Sequence, residues 1–116
     1  MASRLVSLTR EDGSVVCEHL LVAARPLARM RGLLGRSELR SDEGILLRPA
    51  ASVHTFFMRF PIDVVFLDKE EVVVGIEPSL APWKTAGRRG ARAVVELAAG
   101  ECDRRGVQVG DRLVAA

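Results

Sequence analysis

Four charged residues, Arg59, Asp63, Glu96 and Asp111, stand against apolar sequence, and they are where this chain could do chemistry. A carboxylate flanked by apolar residues tends towards a raised pKa, which suits proton transfer, and a guanidinium can steady a developing anion. Asp63 or Glu96 with Arg59 could therefore serve a hydrolase or isomerase as general base and anion stabiliser. Each carboxylate also has a plainer role. Asp63 follows Pro61 at the entry to an apolar run, where it can tie the turn through backbone N–H groups or pair with Arg59, because burying a bare carboxylate is costly. Glu96 falls at an outward position of an alternating segment, and Asp111 in Gly110-Asp111-Arg112 reads as a turn residue that satisfies its own backbone. The plainer roles lead, so the reading leans away from an enzyme.

A second set of residues suggests binding. His54, Phe56 and Met58 alternate along the run from Val53 to Met58 and would share one strand face, with Val53, Thr55 and Phe57 on the other. A floor of aromatic and thioether groups beside Asp63 would suit a flat or apolar ligand, although such a stripe also makes ordinary core. The lone tryptophan, Trp83, lies in the longest irregular stretch, bracketed by Pro78, Pro82, Gly87 and Gly90, and is expected to pack over the Phe56–Asp63 turn as a partial lid or to plug the core. The candidate ligand-binding set is thus His54, Phe56, Met58, Arg59, Asp63, Trp83 and Glu96, forming a groove near residues 54–63. The ligand, a small molecule or a protein, is not specified.

Other chemistries find less support. There is no GxGxxG, Walker loop, HExxH or GxSxG. His19, His54, Cys17 and Cys102 show no paired spacing, so no metal and no cofactor is expected. Cys17 sits in an apolar run as a small core residue, and Cys102, between Glu101 and Asp103, has neighbours that disfavour a thiolate. Weak nucleic-acid binding through residues 84–92, with Lys84, Arg88, Arg89 and Arg92, is a third reading. Against it stand a net charge of only +2 and no aromatics interleaved beyond Trp83. Only Lys69 and Lys84 are lysines among 17 basic residues, and Tyr and Asn are absent, which a GC-rich coding sequence explains without any ligand.

The elements that must position these residues are short. Asp12-Gly13 between Leu5–Thr9 and Val15–Val22 predicts a β-hairpin, since both centre residues tolerate positive φ. Pro26, followed by Leu27, Met30, Leu33 and Leu34 at helical spacing and by Gly35, predicts one short amphipathic helix near residues 26–34. Strands are expected at Ile45–Leu47, Val53–Met58, Ile62–Leu67 (apolar on both faces, hence covered on both), Glu71–Ile76, Ala91–Leu97 and near the C-terminus, with a helical turn at 101–105. Gly75 marks a bulge or a close approach. The chain reads as mainly β: an antiparallel β-sandwich or barrel-like single domain, 1–116, with its core about 5–114. No segment reaches the about 20 apolar residues of a membrane helix, and Met1–Arg10 lacks the apolar stretch of a signal peptide, so a cytoplasmic monomer is expected.

Three motifs carry a family resemblance: Arg29-Met30-Arg31-Gly32-Leu33-Leu34-Gly35-Arg36; His54 to Asp68; and Val95-Glu96-Leu97-Ala98-Ala99-Gly100, with Gly106, Gly110 and Asp111 after it. With them the chain resembles the domain-of-unknown-function 192 family, also called uncharacterised protein family 0127, over roughly Leu5 to Val114. Ala28 stands where an acidic residue is usual, Phe56-Phe57-Met58 replaces Phe-Trp-Met, and the turn to Pro61-Ile62-Asp63 is shorter than in most members. The resemblance implies a compact, mainly β domain with a single notable helix, brings no established activity, and comes from a family many of whose members look exported. The favoured reading is a small non-enzymatic binding or accessory domain.

Overall fold

The structure, a computed structural model, describes residues 3–23 and 36–116. The expected helix near 26–34 lies outside the described residues. Among those described are β1 (Ser3–Arg10), β2 (Val15–Ala23), β3 (Glu43–Leu47), β4 (Ser52–His54), β5 (Ile62–Leu67), β6 (Val73–Leu80), β7 (Thr85–Gly87), β8 (Ala93–Ala98), the short helix α1 (Glu101–Arg104) and β9 (Leu113–Ala115). The fold is mainly β, as the turn-punctuated apolar runs predict.

Seven strands form one sheet in the order β6-β5-β8-β3-β2-β1-β9, and β4 pairs with β7 as a separate two-stranded ribbon. The sheet curls like part of a barrel. Its two ends meet at one corner, where Val72 bridges Arg112, the Val73 N–H donates to the Asp111 carbonyl and the Leu113 N–H to the Glu71 carbonyl. All named pairings are antiparallel except β2 with β3, which run parallel from His19↔Glu43 to Ala23↔Leu47. A parallel pair cannot be joined by a tight hairpin. The long connection from Ala23 to Glu43 meets that requirement.

Hydrophobic clusters lie on both sides of the sheet. Leu8, Leu20, Val65, Val95, Leu97, Cys102 and Leu113 fill the inside of the curl. Val53, Met58, Ile62, Val64, Phe66 and Val94 pack on the opposite face, under the β4–β7 ribbon. Alternate residues of β5 feed the two clusters, so every residue of this strand is buried, as expected of a strand covered on both faces.

Local chemistry explains the turns. At the first hairpin the Ser14 N–H donates to Asp12 Oδ1 at 2.8 Å, and Gly13 takes φ 89°, a conformation that costs glycine little. Gly75 is a close-approach site: the Arg88 side chain occupies the space a Cβ would need, with its guanidinium 5.1 Å from the centre of the Phe66 ring. Asp111 accepts from the Gln108 N–H of its own turn at 2.8 Å. Burial pushes the Cys17 thiol up to about 11 and, with the neighbouring Asp63 carboxylate adding to it, the Cys102 thiol up to about 12. Both cysteines are therefore core thiols rather than nucleophiles at neutral pH.

Candidate functional site

The β4 strand ends early, and that decides the geometry of the site. Instead of continuing to Met58, the chain turns after His54: the Met58 N–H donates back to the Thr55 carbonyl, and Phe57 adopts φ 68°. The alternating face expected for Val53–Met58 does not form. Met58 and Phe60 enter the core while Phe56 and Phe57 face outward. On the facing side, β6 runs through Pro78 to Leu80 and β7 spans Thr85–Gly87, so the irregular stretch expected from Pro78 to Gly90 is broken into residues 81–84 and the residues that follow β7.

Thr55 joins the two turns. Its hydroxyl donates to the Ala81 carbonyl at 2.6 Å and accepts from the Lys84 N–H at 2.9 Å, while its backbone pairs with Trp83 N–H and the Lys84 carbonyl. This fully buried threonine holds Trp83, itself at φ 65°, against the phenylalanines. Trp83 lies 5.9 Å from Phe56 and 4.7 Å from Phe57 between ring centres, and His54 lies 4.8 Å from Phe56. The result is a surface cluster in which Phe57 is 66% and Trp83 57% exposed. Arg59 and Lys84, both exposed, flank it in sequence.

Thr55→Val, which keeps the shape and removes the hydroxyl, is expected to cost about 1 to 3 kcal/mol, because it strips a partner from both a carbonyl and an N–H beside the clasp. A denaturant midpoint shifted downward, with iodide quenching of Trp83 increased, is the expected observation. A variant matching the parent in both would show that the hydroxyl does not hold the turns.

The carboxylates go elsewhere. Asp63 is 1% exposed and neither pairs with Arg59 nor ties the proline turn. Its Oδ1 accepts from the Ser79 N–H at 2.8 Å and its Oδ2 from the Cys102 N–H at 2.9 Å, linking β5 to the end of β6 and to the first turn of α1. A carboxylate at a helix start is well placed, since the N–H groups there have no partner within the helix. Glu96 is fully buried rather than outward. Its strand β8 is central, and the alternate face that a half-covered sheet would leave to solvent is here roofed by the second apolar layer.

Register separates the two acids. Glu96 sits opposite Val64 and Ile45, on the ribbon-covered face, whereas Asp63 sits opposite Leu97, inside the curl. They lie on opposite sides of one sheet. Of the seven residues expected to line a groove, the structure brings together His54, Phe56 and Trp83, leaves Arg59 exposed two residues after Phe57, and assigns Met58, Asp63 and Glu96 to buried positions.

Thr55 and Phe57 were absent from that set. Adjacent Phe56-Phe57 held a clue, because two consecutive large rings on a strand cannot both point into one core. A separate cleft of about 410 Å³ is lined by His19, Arg36, Leu39, Asp42, Glu43 and neighbours. Its charged groups are committed to one another, with Arg36 Nη2 2.7 Å from Glu43 Oε1 and His19 Nδ1 3.3 Å from Asp42 Oδ2. Among the described residues, no three His, Cys, Asp or Glu side chains gather as a metal site would require. No helix of the described residues is long and apolar enough to cross a membrane.

Comparison with known proteins agrees with this architecture. A crystal structure of a putative transcription regulator from Sinorhizobium meliloti superposes with TM-score 0.78 at 26% identity, over 98% of this chain and 94% of the other. A protein of unknown function from Novosphingobium aromaticivorans gives 0.76 at 23% identity, over 97% and 84%, which speaks to fold alone. A UPF0127 protein of Thermococcus sibiricus is 29% identical over 111 residues, covering 91% of this chain and 71% of that protein. One from Pyrococcus furiosus is 44% identical over 64 residues, about half of either chain (54% of each). The family profile of DUF192, uncharacterized ACR, matches residues 7–115, so the chain belongs to the domain-of-unknown-function 192 family.

Proposed function

We propose that this protein is a small non-enzymatic binding or accessory domain whose contact surface is the ring cluster of His54, Phe56, Phe57 and Trp83, with Arg59 and Lys84 at its edge. The observation that carries the reading is the backbone beneath the two most exposed rings. Phe57 and Trp83 both adopt left-handed conformations, which bulky residues adopt at a cost on the order of 1 to 3 kcal/mol each. Folding alone has no use for strain that pushes apolar rings into water. A contact made through those rings does, and exposed contiguous apolar patches mark interaction sites.

The hydrolase or isomerase alternative needs Asp63, Glu96 and Arg59 in one pocket. Asp63 and Glu96 lie on opposite faces of the sheet, and both Asp63 oxygens are occupied by backbone donors, which removes its motive. Nucleic-acid binding through 84–92 is also weakened. Arg88 folds inward to the Ile76 carbonyl at 3.2 Å and towards Glu77 at 3.5 Å, which commits one of the segment's four basic side chains to the fold itself.

Chemical-shift mapping against a library of soluble metabolites and short peptides tests the proposal. Shifts are expected at His54, Phe56, Phe57, Lys84 and the Trp83 indole. Ligand-dependent shifts confined to the 410 Å³ cleft or another remote surface would refute it.

A further inference from the structure

We infer that the ring cluster is an anchor for an anionic lipid bilayer surface, with the rings entering the interface and Arg59 and Lys84 meeting the headgroups. This deepens the binding-domain reading and rests on it. Residues 48–61 and 81–92, the two stretches between strands of the large sheet that carry the ribbon and the rings, hold none of the chain's 15 acidic residues and six basic ones: Arg48, Arg59, Lys84, Arg88, Arg89 and Arg92. Two of these turn to carboxylates or inward, Arg48 lying 3.9 Å from Glu71 and Arg88 folding over Gly75. Arg59 and Lys84, which flank the rings in sequence, are exposed, as are Arg89 and Arg92. The partner is therefore both anionic and apolar.

The arrangement of the rings selects among such partners. Proteins that bind single-stranded nucleic acid spread aromatic faces along a basic track so that successive bases can stack. Here the rings are bunched at one end of the β4–β7 ribbon and contact one another from His54 through Phe56 and Trp83 to Phe57. Mutual contact uses up ring faces and leaves a blunt apolar tip. An amphipathic tip with cations at its margin matches the bilayer interface, where Trp and other aromatic rings concentrate and basic side chains meet anionic headgroups. The clasp through Thr55 keeps the tip preformed, so little ordering is needed at contact.

Because Trp83 is the sole tryptophan, its emission reports on the tip directly. With phosphatidylcholine vesicles containing phosphatidylglycerol, a blue shift, protection from iodide and co-flotation of the protein are expected, all weaker with pure phosphatidylcholine. Arg59→Gln and Lys84→Gln should each weaken partitioning by roughly five-fold, and Phe57→Ser should abolish flotation while leaving the melting temperature near that of the parent. Absence of flotation and of any emission change with anionic vesicles overturns the inference. So does an oligothymidylate that shifts Trp83 emission when vesicles do not, which would assign the tip to nucleic acid. In either case, metabolite- or peptide-induced shifts at the same rings would show that the binding-domain reading stands without the membrane.

Discussion

Asp63→Ala is expected to lower the melting temperature by about 10 °C, the equivalent of about 3 kcal/mol in a domain of this size. The wild-type carboxylate accepts two backbone donors from different elements, Ser79 at 2.8 Å and Cys102 at 2.9 Å. Hydrogen bonds to a charged group contribute about 1.5 to 3 kcal/mol each. Two effects temper the loss. Alanine recovers the desolvation cost of a buried charge, and Ser79 is exposed, so its N–H can turn to water. The Cys102 N–H has no such recourse, because Cys102 is 4% exposed and sits under the curl. Asp63→Asn keeps one acceptor and should recover part of the stability, with amide exchange at Cys102 intermediate between alanine and wild type. Calorimetry that finds the alanine variant as stable as the parent would show that those donors are satisfied some other way.

That pair of bonds also marks where sequence reasoning stopped. A buried acid that follows a proline turn announces that backbone donors hold it, and the sequence supports a structural role for Asp63 on that ground. The donors themselves come from residues 79 and 102, far along the chain, and no local rule names them. The first hairpin, the doubly covered β5 and the close approach at Gly75 were legible because each is written in adjacent residues: Asp12-Gly13, a run apolar on both faces apart from Asp63, and a glycine inside a strand. Glu96 was misread for the opposite reason. Alternation reports which side of a strand a residue faces, not whether a second layer covers that side, and the cover comes from Val53, Met58 and Leu80.

The ring cluster was half legible. Phe56 and Trp83 stand out by type, and their meeting was expected near the turn. What carries the functional reading, left-handed backbone at Phe57 and Trp83, violates residue preference and so could not be derived from it. Sites at which local rules fail are where function is to be sought, since the remainder of the fold compensates the cost.

Gly44 offers a sharper test of how tightly the sheet is built, and Gly44→Ala is expected to destabilise the protein by about 1 to 2 kcal/mol. Two effects oppose one another. Alanine gains about 0.5 to 1 kcal/mol over glycine in a strand because glycine loses more backbone entropy on folding. Against that, a Cβ at this position would lie 2.8 Å from Leu97 Cδ2, 3.0 Å from the Glu96 carbonyl oxygen and 3.1 Å from Cys17 Sγ. The leucine end can rotate away. The carbonyl belongs to the β3–β8 ladder and Cys17 is fully buried, so neither moves without opening a strand pair, and overpacking of this kind costs about 1 to 3 kcal/mol. The steric term wins because β3 is gripped from both sides, parallel to β2 and antiparallel to β8. A double-mutant cycle isolates it: Cys17→Ala alone removes core volume and should destabilise, yet combined with Gly44→Ala it makes room for the new methyl, so the two losses should add to less than their sum. Strict additivity would place the clash on Leu97 and the Glu96 carbonyl rather than on Cys17, and a Gly44→Ala variant more stable than the parent would mean that the close packing of β2, β3 and β8 is not what limits this position.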